Sequence, residues 1–171
     1  NDHDENVSAA VSGGNDNASG RLSVSYQRYG GWYDGNGDEV IIDNTQTGLQ
    51  YSDRIDVMGT GTINIDDHQQ LQLTTQYYKS ESDGKHGLFL GENFAAVTGD
   101  AKAYNKDNLD SDRIPGTERH LINLQYSNTD FWGQDLVAQI YYRDESLTYY
   151  PFPTLSKGAV TSIGASQQKT D

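Results

Sequence analysis

The chain has 171 residues, no cysteine and a formal net charge of −13, with a mean hydropathy of −0.78. That charge excludes a nucleic-acid partner, which needs clustered Lys and Arg for its phosphates, and no stretch approaches the roughly 20 consecutive apolar residues of a membrane-spanning helix. The lack of cysteine excludes a disulfide framework and a thiolate metal site. Low hydrophobicity with high charge is the composition of disorder, but 11% aromatic content and clean polar–apolar alternation point instead to strands.

The first strand is expected over Asn6–Ser12, followed by a dense turn signal at Gly13-Gly14-Asn15-Asp16-Asn17. A second strand begins near Arg21. Leu22, Val24 and Tyr26 point one way, and Arg21, Ser23, Ser25 and Gln27 the other. It runs into Tyr29-Gly30-Gly31-Trp32-Tyr33, and residues 34 to about 50 form a loop. The third strand puts Ile55, Val57, Gly59, Gly61, Ile63 and Ile65 on one face. Arg54, Asp56, Met58, Thr60, Thr62 and Asn64 lie on the other. Asp66-Asp67-His68 turns the chain. The fourth strand sets Leu71, Leu73, Thr75 and Tyr77 against Gln70, Gln72, Thr74 and Gln76.

The longest connection is expected from about Lys79 to Thr117, polar and rich in Gly, Asp and Lys. A loop of that length without periodicity is functional or disordered. The fifth strand groups Ile122, Leu124 and Tyr126 against Leu121, Asn123 and Gln125. A short aromatic turn follows at Asn128–Gly133. The sixth strand carries Leu136, Ala138, Ile140 and Tyr142 on one face and Gln139, Tyr141 and Arg143 on the other. A third long loop is expected from Asp144, and a seventh strand begins near Ser162. The three prolines, Pro115, Pro151 and Pro153, all fall in expected loops, as ladder hydrogen bonding requires.

Short turns at one end, long loops at the other and aromatics near strand ends describe a transmembrane β-barrel wall. Rows of Gln and Thr suit a wet lumen. The fold class expected is therefore all-β: antiparallel up-and-down strands forming part of a large transmembrane barrel. An open sheet of this kind has two unpaired edges and an apolar face that needs lipid, so the segment is not expected to fold alone. The alternative is a soluble all-β sandwich that grips carbohydrate with Tyr and Trp. In a sandwich a second sheet would cover the apolar face.

Four stretches carry a family resemblance: Asn17–Trp32, Asp43–Arg54, Ser111–Leu121 and Tyr141–Leu147. They resemble the barrel of a TonB-dependent outer-membrane siderophore receptor. The resemblance implies that residues 1–171 are part of the barrel domain, with the plug domain absent. It also implies a location in the bacterial outer membrane, contact with its lipid, and energy supplied by the TonB system through the missing plug. Plugged barrels of this type have about 22 strands. The implied ligand is a ferric hydroxamate-citrate siderophore. Its iron travels within the siderophore, so no cofactor is expected.

An anionic ligand of that kind calls for Arg, Lys or His with aromatics against its carbon skeleton. Candidates are Tyr78, His86, Arg113, Arg119, Tyr141 and Arg143, with Tyr29, Tyr33 and Lys85 beside them. The same residue types also serve as girdle aromatics and solvated loop charges. Alternation turns Tyr141 and Arg143 toward the lumen, where an Arg can equally pair with a neighbouring carboxylate. Asp34-Gly35-Asn36-Gly37-Asp38 resembles the start of a calcium loop. The pattern then fails, with Glu39 where the turn glycine belongs and Thr45 in place of the bidentate Glu. His3, His68, His86 and His120 lack zinc-motif spacing, and no Gly-x-Ser-x-Gly elbow is present. An enzyme is not expected.

Overall fold

A computed structural model describes residues 3–43, 50–108 and 114–149, and the backbone of 152–156, 159–164 and 167–170. One antiparallel sheet dominates. Its long strands are β1 (Glu5–Gly14), β2 (Ala18–Tyr29), β3 (Ser52–Asn64) and β4 (Gln69–Ser82). After the short β5 (Gly87–Phe89) and β6 (Tyr104–Lys106) come β7 (Gly116–Asn128) and β8 (Leu136–Thr148). Beyond them lie β9 (Phe152–Ser156), β10 (Ala159–Gly164) and β11 (Gln167–Thr170). The main sheet has seven strands in the order β1-β2-β3-β4-β7-β8-β11. Each long strand pairs with the next long strand in the chain, which is the up-and-down topology expected. No helix among the described residues is long and apolar enough to cross a membrane.

Three tight turns fix the register at one end. Asn15 Oδ1 accepts the amides of Asn17 and Ala18, both at 2.9 Å. Asp66 Oδ1 does the same for His68 and Gln69, at 2.9 and 2.8 Å. Both are side-chain-capped turns of the type Asn and Asp favour. In the third, the backbones of Phe131 and Gln134 exchange hydrogen bonds, leaving Trp132 (φ 57°) and Gly133 (φ 78°) at the tip. Positive φ at both central residues is the twist-compatible hairpin turn.

Register then carries the two faces unbroken across the sheet. One cross-strand row runs Val11, Leu22, Gly59, Thr75, Ile122 and Tyr142. Another, displaced by three residues along each strand, runs Ser8, Ser25, Asp56, Tyr78, Arg119 and Glu145. The first face is apolar, with Leu22, Ile63, Leu73, Ile122 and Ile140 all exposed. The second is mostly polar, with Met58, Leu121, Val137 and Leu147 among its apolar exceptions. No second sheet packs on the apolar face among the described elements, so the sandwich alternative lacks its defining contact.

The expected bounds of four strands are corrected. β4 continues through Lys79 to Ser82 and β8 through Asp144 to Thr148, where the sequence reading had placed loops. β1 and β2 extend beyond Asn6–Ser12 and Arg21 to Glu5–Gly14 and Ala18–Tyr29. The long connection between β4 and β7 is not structureless. It contains the β5–β6 pair, a 3-10 turn (Glu92–Phe94) and a one-turn helix (Ala95–Thr98).

Among the described residues, the buried side chains lie in the loops or, for Ser52, at the loop end of β3. Ile42 is the buried hydrophobic side chain among the described residues, and Gln50 and Ser52 are the buried polar ones. Buried Gln50 is satisfied at both ends of its amide: Oε1 accepts from the Trp32 amide at 3.0 Å, and Nε2 donates to the Val40 carbonyl at 3.3 Å. Asn105 of β6 reaches across to the other loop. It accepts from the Ile42 amide and donates to the Val40 carbonyl, both at 2.9 Å. The two long loops therefore share one small core.

Candidate functional site

Toward the end of the polar face nearest these loops, five strands bring three arginines and three tyrosines onto one face. Tyr29 comes from β2, Arg54 from β3, Tyr78 from β4, Arg119 from β7, and Tyr141 and Arg143 from β8. Residues two apart on a strand share a face, so pairing of Tyr78 with Arg119 and of Arg119 with Glu145 fixes the cluster.

Glu145 organises the right-hand half. Its two oxygens accept from Arg119 Nη2 at 3.1 Å and Arg119 Nε at 3.2 Å, the paired geometry a guanidinium offers a carboxylate. Arg143 Nη2 also donates to Glu145. One carboxylate thus holds two arginines. The Tyr78 ring lies beneath the Arg119 guanidinium, 5.6 Å from its centroid.

Arg54 defines the left-hand half. Its guanidinium lies 5.8 Å from the ring centroids of both Tyr29 and Tyr78, a cation–π arrangement on two sides. Its one hydrogen bond is long, from Nη1 to Gln27 Oε1 at 3.4 Å. Asp56 shares its face, but both Asp56 oxygens accept from Gln76 Nε2, at 3.2 and 3.0 Å.

Of the residues singled out in the sequence, Tyr29, Tyr78, Arg119 and Arg143 make contacts within this cluster, and Tyr141 lies on the same face two residues from Arg143. Tyr141 is exposed, paired in register with Asn123. His86 does not join it. It sits in the loop layer, where its ring stacks on Tyr51 at 3.8 Å and 12°. There His86 Nδ1 lies 2.6 Å from Asp83 Oδ2, and Nε2 3.5 Å from Asp107 Oδ1. The Tyr51 hydroxyl donates to Glu39 at 2.5 Å, and burial, helped by that carboxylate, raises its pKa. Arg113 lies outside the described residues. Tyr33 and Lys85 sit in the loops, Tyr33 forming an isolated bridge with Glu39.

The acidic segment at Asp34 is a tight turn. Asp34 Oδ1 accepts from the amides of Asn36 and Asp38, at 2.8 and 3.0 Å. These backbone donors, that of Asp38 first, lower its pKa. Among the described residues no group of His, Asp and Glu is arranged to hold a metal ion.

Arg54 and Glu145 were not singled out in the sequence. Alternation placed Arg54 on the polar face, but its aromatic neighbours come from two other strands. Glu145 was assigned to a loop. Its spacing of two from Arg143 was the available signal.

A wet polar face, an uncovered apolar face, tight turns at one end and interlocked loops at the other define this sheet as a segment of a large β-barrel wall. The relatives agree. The chain is 63% identical over 99% of its length to the ferric aerobactin receptor of Klebsiella pneumoniae. It is 61% identical over 99% to the ferric aerobactin receptor of Escherichia coli. The rhizobactin receptor of Rhizobium meliloti (strain 1021) is 37% identical over 89% of the chain. The chain spans 23% of the length of each aerobactin receptor and 20% of the rhizobactin receptor. No family model and no solved structure matches. The resemblance read from the sequence is borne out: over nearly its whole length the chain matches siderophore-receptor sequence, as a segment of the barrel.

Proposed function

We propose that this segment belongs to a bacterial outer-membrane receptor that imports a ferric hydroxamate-citrate siderophore, ferric aerobactin itself, energised through TonB. In that reading the apolar face meets lipid and the polar face lines the lumen. The tight turns lie on the periplasmic side, and the interlocked loops form part of the cell-surface mouth. Iron is cargo held within the siderophore, and the wall supplies no ligand to it.

The observation that carries the reading is the cluster of Arg54, Arg119 and Arg143 among Tyr29, Tyr78 and Tyr141, on the polar face just below the loops. The chain carries a charge of −13, with acidic residues scattered through its loops, so a local concentration of guanidinium groups is what an anionic ligand requires. Tyrosine rings supply the apolar contact for its carbon skeleton. Arg143, half-exposed and sharing Glu145 with Arg119, can exchange that partner for a ligand carboxylate without leaving the cluster.

The test is uptake of radioiron-loaded aerobactin by cells whose only siderophore receptor is the full-length protein. Uptake should require the receptor, and Arg143→Ala should lower it while the amount of receptor in the outer membrane stays constant. Normal uptake by that variant removes Arg143 from the site. Loss of the receptor itself makes Arg143 a structural residue. No uptake by the unmodified receptor defeats the reading as a whole.

A further inference from the structure

The three arginines of the cluster are not equivalent. Arg119 and Arg143 share one carboxylate, Glu145, which offsets one of their two charges. Arg54 has no carboxylate partner among the described residues, since the nearby Asp56 is engaged by Gln76. Its Nε is buried and has no hydrogen-bond partner among the described residues. Its single hydrogen bond is to a neutral amide at the limit of hydrogen-bonding distance.

A charged donor left in that condition is costly. The fold nevertheless holds it there. Two tyrosine rings flank the guanidinium, each with its centroid 5.8 Å away, and the neighbouring strands set both rings in place through register: Gln27 opposite Arg54, and Tyr78 opposite Asp56. An immobilised, unneutralised guanidinium is pre-organised for a planar anion, because its fork of donors matches a carboxylate. Burial of its Nε and the two flanking rings remove part of the entropy that a flexible Arg would lose on binding.

We propose that Arg54 grips a carboxylate of the siderophore, and that it selects ferric hydroxamates bearing a carboxylate over neutral ones. This assignment rests on the receptor reading above. It divides the labour within the cluster. Arg54 supplies a charge with no carboxylate partner among the described residues, Tyr29 and Tyr78 flank it, and in the neighbouring Arg119–Glu145–Arg143 group Arg143 stays available to a second acidic group of the ligand.

The experiment uses purified full-length receptor with ferric aerobactin, its carboxamide derivative and a neutral ferric trihydroxamate as probes. Binding is read by quenching of intrinsic fluorescence. Arg54→Gln should weaken ferric aerobactin binding about tenfold to a hundredfold, the worth of a hydrogen bond to a charged group. Arg54→Lys, which keeps the charge but not the fork, should fall between. The carboxamide should bind the unmodified receptor more weakly than ferric aerobactin does, yet bind Arg54→Gln with no further loss. Discrimination against the neutral trihydroxamate should shrink in Arg54→Gln. Unchanged affinity in Arg54→Gln, with the unmodified receptor binding normally, overturns the assignment alone. Failure of the unmodified receptor to bind ferric aerobactin overturns the receptor reading and this assignment with it. If neither variant reaches the outer membrane, Arg54 is a folding residue and the assignment is overturned.

Discussion

Leu124→Arg tests the assignment of the two faces at its most sensitive point. On the apolar face, β7 carries polar groups at both ends, Glu118 and Asn128, with His120, Ile122, Leu124 and Tyr126 between them. At about 3.4 Å per residue and a tilt of about 45°, the span from Glu118 to Asn128 rises roughly 24 Å along the membrane normal. That matches an apolar band of about 25 Å. Leu124 lies one residue from its centre. Leu73 and Ile140 flank it directly on the neighbouring strands, so no polar side chain in its row can receive the new charge. An Arg at the midplane should therefore cost about 2–4 kcal/mol. The control is the adjacent residue. Asn123 is paired with Thr74 and Tyr141 on the polar face, and Asn123→Arg should cost well under half as much. The measurement is a reversible denaturant titration of the full-length receptor in bilayers, with each variant compared to the unmodified protein. Equal costs for the two variants, or a neutral Leu124→Arg, would refute the assignment of faces.

Other predictions concern the ends of the strands. Cysteines placed at Asp83 and Asp67 should differ in intact cells, with an impermeant thiol reagent labelling position 83 and sparing position 67; the reverse pattern would invert the topology. Gly31→Ala places a methyl group against the Tyr51 hydroxyl and 2.6 Å from Cζ, so Tyr51 must leave its contacts with Glu39 and His86. Faster proteolytic nicking within residues 30–51, with the barrel still inserted, is the expected result, and unchanged nicking would show that Tyr51 does not hold the loop. In the turn at Asp66, backbone donors, that of His68 foremost, lower the carboxyl pKa. A carboxyl depressed on folding contributes stability above its unfolded pKa and loses it as pH falls through the folded value. Amide protection at His68 and Gln69, corrected for intrinsic rate, should therefore drop below the ordinary Asp range and become flat with pH in Asp66→Ala; a pH-independent wild type would contradict this.

The wall was legible because alternation directly encodes faces. From Leu71 to Tyr77 and from Ile122 to Tyr126, each second residue declares which solvent it meets, and the Asn, Asp and Gly signals fix where the chain reverses. The upper ends of β4 and β8 were hidden by the same physics. Above the apolar band both faces meet water, so Lys79-Ser80-Glu81-Ser82 and Asp144-Glu145-Ser146 lose the alternation while their ladder hydrogen bonds continue. β5 and β6, at three residues each, are too short to show a period. The arginine cluster was half legible. Arg119 and Arg143 could be read from their own strands. The isolation of Arg54 depends on Gln76 occupying Asp56 and on two rings arriving from separate strands, which only register reveals.

The shared core of the loops divides this chain between two solvents. In the receptor reading proposed above, hydrocarbon covers the apolar face of the sheet, and bilayer thickness and lipid composition would govern its hold. The loops, tied by Gln50, Asn105 and the Tyr51–His86 stack, obey the rules of a small water-soluble domain, in which salt, pH and temperature act directly. Because Asn105 bonds the backbone at both Val40 and Ile42, neither loop can lift away without breaking contacts of the other. The two loops are therefore one mechanical unit, and whatever displaces one loop must bear the cost of moving both.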